Sequence, residues 1–312
     1  MTSKIHVAVG VVRNKDQQYL ISKRHMDLHQ GGLWEFPGGK VELGETVYTA
    51  LCRELREELS ITVKHATPLI KISHQYSDKH VLLDVWLVDE FDGNARSQLQ
   101  QSLEWVSLSE LSHYAFPDAN QAIIKSLSLP PYYAITGEFK NRQEYLEKLQ
   151  TCINNGIRLI QLRYKGNDAS LLKDLAIASK ELCEKGGCKL LVNAKPEFLS
   201  ICDVDGIHLT SQLLHQYSSR PISKNKLIAA SVHSSKDLEQ AIAIKLDFVV
   251  VSPIFKTTSH PDATPLGLNG LSELLNNSSI PVYALGGMKR NMLVGVQNSG
   301  AFGVAAISEF WK

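Results

Sequence analysis

Apolar residues follow two different rhythms along this chain, and the change between them predicts its organisation. Near the amino terminus "IHVAVGVV" and "YLISKR" read as paired strands, and "VLLDVWLVDEF" reads as a further strand. Between these strands, Val47, Leu51, Leu55 and Leu59 recur every four residues, which predicts a helix over Thr46–Leu59 with Thr46 as its N-cap. "NQAIIKSL" predicts a closing helix, and hairpins with few helices suggest an α+β sandwich. At "SLSLPPYY", Pro130 and Pro131 end any preceding helix and force an extended backbone, which places a boundary between a domain of residues 1–128 and one of residues 132–312. Beyond the boundary come eight short apolar runs: "YYAIT", "RLIQLRY", "KLLVN", "GIHL", "LIAASVH", "FVVVSPIF", "PVYALGG" and "GVAAIS". Their starts lie 17 to 33 residues apart, the spacing of strand–helix units, and continuously apolar runs suit strands buried on both faces. Eight such units predict a (β/α)8 barrel with its site at the carboxyl ends of the strands; an open doubly wound sheet is the alternative.

A length of 312 residues accommodates two cores. Lys and Arg number 33 against 32 Asp and Glu, so no basic excess draws the chain to nucleic acid or an anionic bilayer, and small-molecule partners are expected. The first residues, "MTSKIHVAVGVVRNKD", hold too short an apolar run for a signal peptide, and no segment approaches the ~20 apolar residues that span a bilayer, so a cytoplasmic location is expected. Cys52, Cys152, Cys183, Cys188 and Cys202 are odd in number and lack CxxC spacing, which reads as buried small hydrophobes.

On the first helix, Glu54, Glu57 and Glu58 share an arc of about 100° beside the apolar stripe. Carboxylates three and four residues apart repel by a few tenths of a kcal/mol, whereas a divalent cation would reverse the sign. A solvated face relieved by Arg53–Glu57 pairing is the plainer reading. Upstream residues add to the pattern: Gly39, five residues, Glu45, seven residues, then Arg53-Glu54-Leu55-Arg56-Glu57-Glu58 resembles the Nudix box, GX5EX7REUXEEXGU, with Ser60 in place of the last glycine. "LWEFPGGKVELGET" and "AFPDANQAIIK" are similar to segments of the MutT branch, which hydrolyses oxidised guanine nucleoside triphosphates to monophosphate and pyrophosphate. The resemblance implies Mg²⁺, with Mn²⁺ as the alternative, held by Glu54, Glu57, Glu58 and the Gly38 carbonyl, with Arg53 oriented by Glu45. It also implies that Asn120 and Arg24 contact the base; Asn120 reads equally as a helix N-cap. That branch uses one more carboxylate in the loop after the long strand, where this chain has Gln98 and Leu99, with Glu104 the nearest acid.

In the second half, Gln161, Arg163 and Lys165 alternate along "QLRYK", which places all three on one side at the top of the second barrel strand, facing an anionic ligand. Gly286 and Gly287 of "ALGGMK" can bring backbone amides to a phosphate. From Tyr132 onward the chain resembles the thiamine-phosphate synthase and TenI superfamily. The resemblance assigns Gln161, Arg163, Lys165 and Asn193 to a pyrimidine diphosphate, and Ser231, the hydroxyls Thr257 and Ser259, and the glycine pair are further substrate-binding candidates. The synthase's metal-binding aspartates are missing: Ala194 follows Asn193, "TSQLL" after "GIHL" holds no acid, and His260 stands where the synthase has a lysine. TenI-like tautomerases need no metal and shuttle a proton with the histidine of "SVHS", here His233. The chain is therefore expected to join a nucleotide pyrophosphohydrolase to a thiazole tautomerase or ligand-binding module. Two alternatives are a Nudix half acting on thiamine diphosphate analogues and a ligand sensor without catalysis.

Overall fold

A computed structural model of the protein describes residues 4–27, 30–98, 101–257 and 264–312. The chain divides into two compact units, Met1–Ser128 with Leu275–Ser279, and Leu129–Leu274 with Ile280–Lys312. Among the described residues no helix is long and apolar enough to cross a membrane.

The first unit contains β1 (Ile5–Val12), β2 (Tyr19–Lys23), β3 (Trp34–Glu35), β4 (Gly38–Lys40), α1 (Val47–Leu59), β5 (Thr62–Gln75), β6 (His80–Asp92), β7 (Leu103–Val106) and α2 (Asp118–Leu127). One mixed sheet has the order β4-β1-β6-β5 and a second the order β3-β2-β7. Strand β1 pairs in parallel with β6 and antiparallel with β4, so it lies at the centre of the first sheet. The apolar stripe of α1, Leu51, Leu55 and Leu59, packs with Ala8, Val12, Leu20 and Val88 into a fully buried core. The close approach of helix to sheet depends on Gly10: a Cβ there would lie 2.9 Å from Leu55 Cδ1.

Thr46 caps α1 by accepting from the Thr49 amide at 3.1 Å. At its other end Ser60 adopts the left-handed conformation, φ 58° and ψ 29°, that a glycine would normally take. The Ser60 amide donates to Arg56 O at 3.0 Å and its hydroxyl accepts from Gln98 Nε2 at 2.7 Å. Strand β5 was not anticipated from the sequence. Irregularities around Val63, His65, Ala66 and Pro68 break its alternation, and Pro68 itself reads as an interruption.

The second unit is a closed barrel of eight parallel strands in the order β10-β11-β12-β13-β14-β15-β8-β9. Its elements are β8 (Tyr132–Ile135), α3 (Arg142–Asn154), β9 (Leu159–Leu162), α4 (Ala169–Lys185), β10 (Lys189–Asn193), β11 (Gly206–Leu209), α5 (Ser211–Leu214), β12 (Leu227–Val232), α6 (Ser235–Ala243), β13 (Phe248–Val251), α7 (Gly267–Leu275), β14 (Val282–Ala284), α8 (Leu293–Asn298) and β15 (Gly303–Ala306). The closed ring excludes the open sheet. Several strand-to-helix loops end on a capping side chain that accepts a first-turn amide: Asn141 for α3, Asp168 for α4, Thr210 for α5 and Ser234 for α6. Tyr133, Phe248 and Tyr283 form an aromatic cluster with ring centroids 5.1–5.6 Å apart. All five cysteines are free; four are buried as expected, while Cys52 is only half-buried.

Candidate functional site

In the first unit the sheet delivers the glycines to the acidic helix. Because β4 runs antiparallel to β1, with Val9 opposite Gly38 and Ala8 opposite Gly39, it lies along the flank of α1. A Cβ on Gly39 would run into the Glu54 carboxylate, and one on Gly38, at φ 148°, into Ala8 O. Only glycine lets backbone and carboxylate come this close. The Gly38 amide points at Glu58 Oε2, 3.3 Å away.

Arg53 is the hub of the carboxylates. Its guanidinium donates to Glu45 Oε1 at 2.7 Å, Glu54 Oε1 at 2.9 Å, Glu57 Oε2 at 3.3 Å and Lys40 O at 3.0 Å. Glu45 is held below its usual carboxylate range, first by the Arg53 hydrogen bond and then by the Glu42 amide. The three helix glutamates are not gathered at one point: the Glu54 side chain is 15% exposed and lies against β4, whereas Glu57 is 60% exposed and faces Arg53. Among the described residues no group of three or more His, Cys, Asp or Glu side chains is drawn close enough to hold a metal ion. Even so, burial, then Glu54, then Glu35 push the Glu58 carboxyl up to about 7. Glu54 lies against Gly39 and Glu58 accepts from the Gly38 amide, so two hard oxygen donors flank the same strand, and their chemistry, though not a gathered triad, fits a divalent cation.

A cavity of about 240 Å³ opens on the other side of β4. Val7, Val9, Val81 and Leu83 supply apolar walls, and Gly38, Gly39, Lys40, Arg24, Glu35, Phe36 and Asn120 also line it. Arg24 and Glu35 form an ion pair inside it. Asn120 is 8% exposed. It is not a helix cap, since the N-cap of α2 is Pro117, and it is the third residue of the helix, with its backbone amide donating to Pro117 O. Glu35 was missed in the sequence because a lone acid between Trp34 and Phe36 gives no periodic signal. Glu104 does not line the cavity; it lies on β7 opposite Ile21, and its Oε2 accepts from Tyr114 Oη at 2.5 Å. Gln98 ties the preceding loop to the end of α1, its amide donating to Glu58 O at 2.9 Å. Leu99 lies outside the described residues.

In the barrel a cavity of about 760 Å³ is lined by Lys140, Arg163, Lys165, Thr257, Gly286 and Gly287 among others. The two glycines have φ of 104° and 65°, which places them in the region that favours glycine. Gln161 does not join Arg163 and Lys165. Strand β9 stops at Leu162, so the two-residue alternation does not carry through the QLRYK run, and Gln161 is buried with Nε2 donating to Tyr133 Oη at 3.1 Å. Asn193 and Ser231 do not line this cavity and converge instead on His208: Asn193 Nδ2 donates to His208 O at 3.1 Å, and Ser231 Oγ lies 3.0 Å from His208 Nε2. His208, a single histidine inside the buried "GIHL" strand, carried no signal in the sequence. Burial, then the charge of Arg163, push its imidazole down to about 3. His233 is exposed at the end of β12 and does not line the cavity. Its amide donates to Asp237 Oδ2 at 2.8 Å, and its Nδ1 lies 2.8 Å from Ser252 O. A carbonyl only accepts, so Nδ1 carries the proton and Nε2 is the basic nitrogen of the neutral ring. Ser259 and His260 lie outside the described residues.

A closed parallel barrel preceded by a mixed-sheet unit with a glutamate-bearing helix defines a fusion of two enzyme classes, and comparison with known proteins assigns both. The family model for thiamine monophosphate synthase matches residues 132–310 and that for the NUDIX domain matches residues 8–126, so this chain belongs to both families, a Nudix domain followed by a thiamine-phosphate-synthase-like barrel. Among individual relatives, the chain is 36% identical to a putative thiamine-phosphate synthase 2 of Aquifex aeolicus, over 59% of this chain and 99% of that protein. It is 40% identical to the 8-oxo-dGTP diphosphatase of Escherichia coli, over 40% of this chain and 96% of that protein. A solved MutT structure, from a study of the enzymes of Aliivibrio salmonicida and Vibrio cholerae, shares 39% identity over 40% of this chain and 97% of its own, with a TM-score of 0.36.

Proposed function

We propose that the first unit is a divalent-cation-dependent pyrophosphohydrolase of oxidised purine nucleoside triphosphates, converting 8-oxo-dGTP to 8-oxo-dGMP and pyrophosphate. The observation that carries this reading is the position of β4. Gly38, Gly39 and Lys40 line a cavity that Asn120 and Arg24 also line, while Glu54 and Glu58 press on the same glycines. A base among Arg24, Asn120 and the apolar walls would thus extend its phosphates toward the helix carboxylates. Mg²⁺ or Mn²⁺, held by Glu54, Glu57, Glu58 and the Gly38 carbonyl, would neutralise phosphate charge and activate water. Arg53, positioned by Glu45 and Lys40 O, keeps the carboxylates in register along the helix. Asn120, with both a donor and an acceptor, orients the base.

The barrel in this reading binds a thiazole phosphate. Gly286, Gly287 and Thr257, which line the cavity, would take the phosphate, and Arg163 and Lys165, which also line it, would take a second anionic group; Ser259, two residues beyond Thr257 in the sequence, is a further candidate. His233 does not line this cavity, so as the proton shuttle of a tautomerase it would act on the part of the ligand that reaches the end of β12. With Gln161 and Asn193 engaged inside the protein and Ala194 in place of an aspartate, transfer from a pyrimidine diphosphate has little support. A screen of nucleoside and thiamine diphosphates and triphosphates, with Mg²⁺ present, tests the first half. Preference for oxidised guanine supports the proposal; preference for a thiamine analogue, or binding without pyrophosphate release, overturns it. Solvent deuterium exchange into a thiazole phosphate carboxylate, lost in His233→Gln, tests the second.

A further inference from the structure

The nucleotide cavity contains a group that neither Asn120 nor Arg24 explains. Glu35 alone among the described residues lining it carries a carboxylate, and Arg24 Nη1 is paired with its Oε2. Walls of valine and leucine make this an expensive place for charge. A partly buried ion pair adds little to stability that a well-packed apolar pair would not supply, so folding alone does not account for it. Ligand chemistry does. A 2-amino-6-oxopurine presents N1–H and the 2-amino group side by side, two donors in a row. Arginine has only donors and cannot answer them, whereas a carboxylate has about four acceptor positions, of which Arg24 occupies a part. An adenine-type base would instead turn the N1 lone pair toward the same oxygens, which repels.

We propose that Glu35, held in place by Arg24, is the specificity-determining residue that accepts from N1–H and the 2-amino group of the base, and so selects guanine-type over adenine-type and 2-deaminated nucleotides. This inference rests on the nucleotide-hydrolase reading of the same cavity. It adds a second reader to Asn120: the amide orients the base, and the carboxylate selects it.

Calorimetric titration of the full chain with 8-oxo-dGMP, its 2-deaminated counterpart 8-oxo-dIMP, and 8-oxo-dAMP tests it. The wild type should bind 8-oxo-dGMP roughly 10- to 100-fold more tightly than either of the others. Glu35→Gln, nearly isosteric, should lose most of that ratio while its affinity for 8-oxo-dAMP stays within a few-fold of wild type. Wild-type discrimination needs no variant, so equal binding of all three ligands overturns the proposal even if Glu35→Gln does not fold. Glu35→Gln weakening all three equally also overturns it, since Glu35 would then only be holding Arg24. Binding of none of the three by the wild type would remove the nucleotide reading itself, and this proposal with it.

Discussion

Replacing Ser60 separates two opposing energies at the end of α1. Its φ of 58° puts a Cβ in the left-handed region, a strain of about 1–2 kcal/mol relative to a right-handed residue. The hydroxyl offsets part of this by accepting from Gln98 Nε2 at 2.7 Å, an exposed bond that contributes about 0.5 kcal/mol, the low end of the usual range. Ser60→Gly removes both terms, and Ser60→Ala removes only the bond. Glycine's greater freedom in the unfolded chain subtracts about 0.4–1 kcal/mol from its advantage. The glycine variant should therefore be more stable than the alanine variant by about 1 kcal/mol, roughly fivefold in the unfolding equilibrium, with wild type between them. Because the full chain has two units, the readout must be local: hydrogen exchange of α1 peptides followed through a urea titration. An alanine variant as stable as the glycine variant would show that the left-handed turn carries no strain, and the reasoning would fail.

Gly39→Ala should drive a Cβ into the Glu54 carboxylate, lowering phosphohydrolase turnover about 10- to 100-fold while the melting temperature changes little; parallel kinetics and calorimetry check it, and unchanged turnover contradicts it. Leu55→Ala, at a fully buried position in the core beneath α1, should destabilise the first unit by about 2–5 kcal/mol in the same exchange assay; a loss under 1 kcal/mol would contradict the packing described. His208 predicts a pH dependence for the barrel. Its folded pKa, about 3, lies below the unfolded value of about 6.5, so between those values the unfolded chain binds the extra proton and barrel stability falls as pH drops. His208→Asn should flatten urea midpoints for barrel peptides between pH 6.5 and 4, and an unaltered slope would refute the assignment.

What the sequence showed followed from the length and regularity of each signal. The eight barrel strands were legible because each is a continuous apolar run, and observed starts such as Tyr132, Lys189, Gly206, Leu227, Phe248 and Gly303 coincide with the expected ones. Helix α1 was legible from its four-residue stripe. Strands β3, β4 and β7 span only two to four residues, too short to show any period, and β5 is disguised by its bulges. Side-chain direction was less readable than element type. Gln161 was expected beside Arg163, but the strand ends between them, and a periodic pattern cannot show where its own geometry stops. Glu35 and His208 are single polar residues in apolar surroundings, and only the fold shows what they face.

In the proposed reaction the Glu54 and Glu58 carboxylates, packed on Gly38 and Gly39, form the hydrolytic centre for a nucleotide bound in the adjoining cavity. The most direct measurement is pyrophosphate release from 8-oxo-dGTP by the full chain and by its Glu54→Gln variant, each titrated with Mg²⁺. Wild-type turnover should require the cation, and the variant should lose about 100-fold or more while still binding 8-oxo-dGMP. Undiminished release by the variant, or wild-type turnover indifferent to the cation, would contradict that assignment.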